Sequence, residues 1–192
     1  MKNKFIILSV FSLLFFTIHS TTATTWKLDA VHSNLGFSVL HLGVSDFKGS
    51  IKLNSAIIKT DKEDFSDAVI TLEADMTSID TDDDKRDAHL RSADFFDSEK
   101  FPLINFKSTT VKKESENKFA VTGNLTLHGI TKPITLTAVI KTITSPINNK
   151  PLTGIKVSGT IKRSDFQISG DTPEYILADV VSIEANMEFT KE

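Results

Sequence analysis

The sequence predicts an all-β protein, an elongated antiparallel barrel of about eight strands with one short helical insert. Three observations carry that expectation. Apolar and polar residues alternate with a period of two along most of the chain, as they do in sheet with one buried and one wet face. Some alternating stretches, at 45–59, 67–77 and 176–190, are longer than the about 3–10 residues usual for a strand. The alternation stops at length only over 86–106. There a short charged segment of helical character runs into Phe95, Phe96, Phe101 and Phe106.

The first element is a leader. Lys2 and Lys4 give a positive start, residues 5–18 are apolar without a charge, and Thr21 and Ala23 sit at the −3 and −1 positions of a cleavage site. This is the anatomy of a secretory signal peptide. A membrane anchor needs about 20 apolar residues, and this run is shorter. Residues 1–23 are therefore expected to be removed and 24–192 to form one domain in the periplasm. The chain has no cysteine, which excludes a disulfide framework and cysteine acylation.

The strands follow in order. Leu35, Phe37, Val39 and His41 share one face, with Asn34, Gly36 and Ser38 on the other. Phe47, Gly49, Ile51, Leu53, Ser55 and Ile57 repeat the pattern, with a bend at Ser55. Ala68, Ile70, Leu72, Ala74 and Met76 face inward next. In the break, Thr81 is expected to cap a helix whose first turn holds Asp82, Asp83 and Asp84, favoured by the helix dipole. Arg86 and His89, three apart, lie on one face of it. Phe119, Val121, Gly123, Leu125 and Leu127 then alternate, followed by Ile134, Leu136, Ala138 and Ile140. Ile155, Val157, Gly159 and Ile161 make the next strand, and Val181, Ile183, Ala185, Met187 and Phe189 the last. His128-Gly129 marks a tight reversal, 145–151 a looser one and 169–173 another.

A 15-residue strand spans on the order of 50 Å. Eight such strands closing on themselves leave an interior just wide enough for side chains or for one slender ligand. Gly49, Ser55, Ala68, Ala74, Gly123, Ala138, Gly159 and Ala185 are small inward residues. They lower the filling of the interior unless large neighbours interdigitate with them. Alternation alone leaves cavity and filled core open.

Several function classes fall away. The formal net charge is −3, and loss of Lys2 and Lys4 makes it more negative. No basic patch interleaved with aromatics marks a nucleic-acid surface. Beyond the leader the histidines are His32, His41, His89 and His128, in no H-x-x-x-H or H-E-x-x-H array, so no metal site is expected. There is no G-x-S-x-G elbow. Asp80, Asp82 and Asp84 match the first positions of a calcium loop, but Lys85 and Arg91 stand where glycine and glutamate are needed.

Taken together, the motifs resemble a known family. They are Asp29-Ala-Val-His32-Ser33 after Trp26, Phe37-Ser-Val-Leu-His41 and Phe47-Lys-Gly49, then Arg86-Asp-Ala-His89-Leu90, Asp94-Phe-Phe96-Asp, Phe101-Pro102 and Phe106-Lys-Ser. Gly123-Asn-Leu125-Thr-Leu127-His-Gly129 and Arg163-Ser-Asp165-Phe166 complete them. Their order and spacing are similar to those of the YceI-like family of secreted polyisoprenoid-binding proteins, from about Trp26 to Phe189. The resemblance implies a lipocalin-like barrel whose apolar interior holds an isoprenoid chain, such as that of a prenyl quinone. The family usually places glycine after the aromatic of the Arg-x-Asp-aromatic motif. Here Gln167 stands there.

On that reading the protein is a periplasmic carrier without cofactor or reaction of its own, in transient contact with a donor or acceptor membrane. The lipid tail would lie against Phe37, Val39, Phe47, Ile51, Leu53, Leu72, Met76, Leu90, Phe95, Phe96, Phe106, Leu125, Leu136, Ile161, Phe166 and Ile183. The head group would lie near His32, His41, Arg86, His89 or Arg163, where cationic residues fall beside aromatic ones. Two alternatives stand beside it. One is an enzyme using His89 or His41 as acid or base on an isoprenoid or quinone; the other is a stress-related protein-interaction module with a filled barrel.

Overall fold

The computed structural model describes residues 23–192, so nearly all of the expected leader lies outside the described residues. Eight antiparallel strands, each paired with its sequence neighbours, close into a barrel in which the first pairs with the last. They are β1 (Thr24–His41), β2 (Ser45–Thr60), β3 (Val69–Asp80), β4 (Leu103–Lys113), β5 (Lys118–Leu127), β6 (Ile130–Thr144), β7 (Pro151–Lys162) and β8 (Leu177–Lys191). Closure leaves no edge strand unpaired. One short helix, α1 (Asp84–Arg91), lies between β3 and β4, and a 3-10 turn, Arg163–Phe166, between β7 and β8.

The long strands appear where alternation placed them. Two stretches were not expected as strand, the first half of β1 and all of β4. In β1 the pairing to both neighbours is interrupted between Asp29 and Asn34, which breaks the period. In β4 only Ile104, Phe106 and Ser108 alternate inward before the register shifts between Ser108 and Thr110.

A bulge also reverses part of β2. The register against β3 shifts between Leu53 and Ser55, so Ala56, Ile58 and Thr60 turn inward instead of Ser55 and Ile57. One extra residue in a strand flips every later side chain to the other face.

The small inward residues act in two ways. Phe37 packs where a side chain on Gly49 would be, Phe106 covers Gly123, and Leu136 covers Gly159. These three glycines admit large cross-strand neighbours and do not enlarge the interior. A Cβ on Gly123 would stand 2.4 Å from the Phe106 ring and 2.6 Å from the Lys107 carbonyl oxygen. The backbone atom cannot swing aside. Gly123→Ala is therefore expected to cost about 1–3 kcal/mol, measured by urea titration.

The two barrel ends differ. At one end the loop between β2 and β3 carries Phe65, buried and 5.5 Å from Trp26 between ring centroids. The Asp67 carboxylate holds that loop, accepting hydrogen bonds from Thr60 Oγ1 and the Asp61 and Lys62 amides. The Thr60 bond is the main reason its pKa lies below the usual carboxylate value. The other end gathers α1, the 3-10 turn, the β1–β2 loop and the segment 167–176. The His128-Gly129 reversal lies at this end too, with both residues at positive φ, the geometry of a two-residue hairpin turn.

Candidate functional site

Helix α1 starts two residues later than the sequence suggested. Asp83, not Thr81, is the N-cap, its carboxylate accepting the Arg86 N–H at 2.9 Å. Thr81 is buried and donates its hydroxyl to the Asp87 carboxylate. Asp82 takes φ 61° between them, and that kink moves the cap to the next carboxylate. Arg86 and His89 face the barrel interior, with Leu90 beneath them.

The interior holds a cavity of about 550 Å³, within the roughly 300–1,000 Å³ of small-molecule pockets. Fourteen of the residues expected against a lipid tail line it. Phe37, Val39, Phe47 and Ile51 come from β1 and β2, Leu72 and Met76 from β3, and Leu90, Phe95 and Phe96 from α1 and its exit. Phe106, Leu125, Leu136, Ile161 and Ile183 complete the wall. Two others are placed elsewhere. Leu53 is buried in the wall beside the bulge, and Phe166 is buried in the 3-10 turn; neither reaches the cavity surface. Ile58, Phe65 and Ile176 also line it. The β2 bulge hid Ile58 from period-two reading, Phe65 lies in a loop that carries no period, and Ile176 just before β8 is out of phase with Val181 and Ile183.

The cavity's polar side chains are His41, Arg86, His89, Arg163 and Thr172, all at the end that carries α1. His41, Arg86 and His89 are also solvent-exposed, so the cavity opens between them. Its opposite end is closed by Phe65.

The five cationic candidates do not behave alike. Arg86 donates from Nε to Thr81 Oγ1 at 2.9 Å and from Nη2 to the Thr81 carbonyl at 2.5 Å. Its guanidinium lies 4.4 Å over the Phe47 ring. Among the described residues no salt bridge joins Arg86 to Asp87, Asp94 or Asp97. His89 stacks edge-on against Phe95 and faces the Asp94 carboxylate at 3.7 Å.

Arg163 is 6% exposed and bonds only backbone. Nε donates to the Ala178 carbonyl, Nη1 to those of Ile168 and Ser169, and Nη2 to those of Thr172 and Leu177. A guanidinium has five N–H groups, and here each has a partner. Arg163 is a clamp on the 167–178 segment, with no donor left for a head group.

His32 lies outside the barrel. The β1 interruption turns it outward, where Nδ1 meets the Asp29 carboxylate at 2.9 Å. That hydrogen bond raises the His32 pKa and lowers that of Asp29. Glu188 joins them, with one polar atom of each residue within 4.8 Å of the others, a grouping no sequence spacing announced.

Gln167 follows the 3-10 turn at φ 53°, ψ 34°. That left-handed conformation costs a side-chain-bearing residue about 1–2 kcal/mol, and glycine forfeits roughly 0.5–1 kcal/mol of this in lost chain freedom. Gln167→Gly is thus expected to stabilise the protein by about 0.5–1 kcal/mol, read as a small rise in Tm.

A family model described as the YceI-like domain matches residues 26–189. The chain belongs to the YceI-like family. It is 37% identical over 163 residues to Protein YceI of Salmonella agona, covering 84% of this chain and 85% of that one. The crystal structure of the Campylobacter jejuni YceI protein is similar, with a TM-score of 0.71 and 31% identity over 80% of this chain and 89% of the other. A polyisoprenoid binding domain from Saccharophagus degradans aligns with a TM-score of 0.64 over 87% of this chain and 98% of its own. At 15% identity that likeness shows the shared barrel alone. The YceI-like motifs fall mostly at the α1 end and along the cavity wall. Asp29 and His32 are the exception, on the outer face.

Proposed function

We propose that this protein binds a long isoprenoid lipid, a polyisoprenoid or prenyl quinone, in the barrel cavity and carries it through the periplasm without reacting with it. The observation that carries this reading is the cavity's polarity. Its wall is apolar from Phe65 to Phe96, and every polar side chain lies at the open end. Such a space suits an amphipathic molecule with one slender apolar tail. Burial of that tail contributes about 25 cal/mol per Å² of apolar surface, less the cost of ordering the chain. The Saccharophagus degradans domain, named for polyisoprenoid binding, and membership of the YceI-like family support the same reading.

The rim favours direct collection from a membrane. Leu42, Val44 and Tyr175 are 53%, 82% and 77% exposed, and the Leu42 N–H bonds the Ile176 carbonyl, so they crowd one side of the mouth. The chain is net acidic, so contact would rest on these apolar tips and not on attraction to anionic lipid.

Native mass spectrometry of protein purified from its secretory compartment tests the proposal. A co-purifying lipid mass that organic extraction removes, and that returns chemically unchanged after incubation with a prenyl quinone, is expected. Protein that is bare and also fails to take up prenyl quinones would overturn it.

A further inference from the structure

We infer that Asp29, His32 and Glu188 bind one divalent transition-metal ion of the zinc class on the outer face of the barrel, at the seam where β1 closes on β8. One polar atom of each residue lies within 4.8 Å of the others. The site stands apart from the cavity, whose wall includes none of the three.

The interruption in β1 builds the cluster. Residues 30–33 have no partner on β2 or β8, and pairing to β8 resumes only at Asn34 with Asn186. Ser33 closes this excursion. Its hydroxyl donates to the Asp29 carbonyl at 2.6 Å and accepts the Glu188 N–H at 3.0 Å. His32 is thereby folded back over Asp29, with Nδ1 2.9 Å from Oδ2. The Val31 N–H donates to the other carboxylate oxygen at 3.1 Å, so Asp29 is aimed before any ion arrives.

Charge gives an independent reason. Asp29 and Glu188 are direct cross-strand partners, and like charges placed opposite one another destabilise a sheet. Among the described residues no lysine or arginine forms an ion pair with either, and Lys27, close to Asp29 in sequence, pairs with Glu192. A neutral imidazole between two carboxylates leaves two negative charges uncompensated. A divalent ion compensates both.

The donor set selects the ion. One imidazole nitrogen and two carboxylate oxygens suit zinc, nickel or copper, whereas calcium and magnesium take oxygen ligands. Zinc sits ~2.0–2.2 Å from such donors, so the three atoms must draw together. Rotation of the exposed His32 and half-buried Glu188 side chains does this without moving the strands. Three protein ligands leave a further position for water. The ion ties β1 to β8 across the stretch where the ladder is missing, a staple on the seam.

The test titrates untagged, EDTA-stripped protein with Zn2+ by calorimetry and with Cu2+ by Trp26 emission. Trp26, the single tryptophan, lies three residues before Asp29 on the same strand, about 10 Å away and within quenching reach of bound copper. One Zn2+ per chain is expected, with a Tm that zinc raises and EDTA restores, and copper quenching that excess zinc reverses. His32→Ala and Glu188→Gln should each weaken zinc at least about tenfold, since loss of even an outer-shell partner costs about 10–100-fold. Removing the like charge in Glu188→Gln should leave the metal-free Tm unchanged or higher, which separates loss of a ligand from loss of the fold. Stripped wild type that binds no zinc would overturn the inference. So would zinc binding that His32→Ala leaves unchanged, because the ion would then sit elsewhere. Displacement of zinc by Ca2+ at equal concentration would also overturn it, reducing the site to a plain carboxylate cluster.

Discussion

Val157→Trp is expected to abolish uptake of a long prenyl chain, lowering its affinity at least about a hundredfold, while the barrel still folds. Val157 lines the cavity midway along β7. Its cross-strand partners are Ala138 on β6 and Ala185 on β8, both cavity-lining and buried. Three small side chains in one row make this a wide level of the barrel. An indole placed there has lateral room and projects into the path of the tail. Overpacking costs about 1–3 kcal/mol, and at about 2–4 °C of Tm per kcal/mol for a domain of this size the variant stays folded at room temperature. Circular dichroism and a prenyl-quinone titration decide the matter together. A folded Val157→Trp protein that binds like the wild type would place the ligand outside the cavity.

Arg163→Met is the second large effect, this time on stability. The substitution keeps most of the stem and removes five donors at once. The carbonyls of Ile168, Ser169, Thr172, Leu177 and Ala178 would then need water or go unpaired. Part of the segment is near solvent, so the expected loss is about 2–4 kcal/mol, a fall in Tm of roughly 5–15 °C. Lysine should restore only a fraction, since one ammonium cannot serve five carbonyls spread over the segment. Thr172 and Ile176 on that segment line the cavity, so release of bound lipid should also quicken. A Tm unchanged in the methionine variant would contradict the clamp.

Beside this clamp, acid should loosen a second fastening. The Asp179 carboxylate accepts the Ser164 N–H at 2.9 Å and its hydroxyl at 2.8 Å. Burial pushes its pKa up, but the Ser164 bonds and the nearby Arg163 and Lys162 charges outweigh that and hold it below the usual carboxylate range. A depressed folded-state pKa means the stabilisation is complete above about pH 4, the unfolded value, and fades as pH falls through the folded one. Asp179→Asn should therefore flatten the acid limb of a Tm-against-pH curve.

Much of this architecture was legible because period-two alternation survives wherever a strand pairs without interruption. β6 and β7, which pair with both neighbours without a register shift, kept their alternation throughout for that reason, and Leu136 and Ile161 on the cavity wall followed. Reading failed where pairing was interrupted. The bulge in β2 exchanged Ser55 and Ile57 for Ala56 and Ile58, and the break in β1 put His32 on the outer face although its motif matched the family. β4 shows too few inward apolar residues before its own shift to stand out. Phe65 closes the far end from a polar loop, where no local pattern records a tertiary contact.

The barrel, the family and the set of residues from which a cavity could be built were all readable along the chain. Those depend on local alternation and on motif order, which a chain carries residue by residue. Only the tertiary structure decided that the interior is open and not filled, because glycine opposite phenylalanine closes space and alanine opposite valine leaves it. It also separated two arginines that read alike in sequence. Arg163 meets five carbonyls from a segment folded back around it, while among the described residues Arg86 meets only Thr81 with its hydrogen-bond donors. Hydrogen-bond saturation is a property of surroundings, and surroundings exist only once the chain has closed.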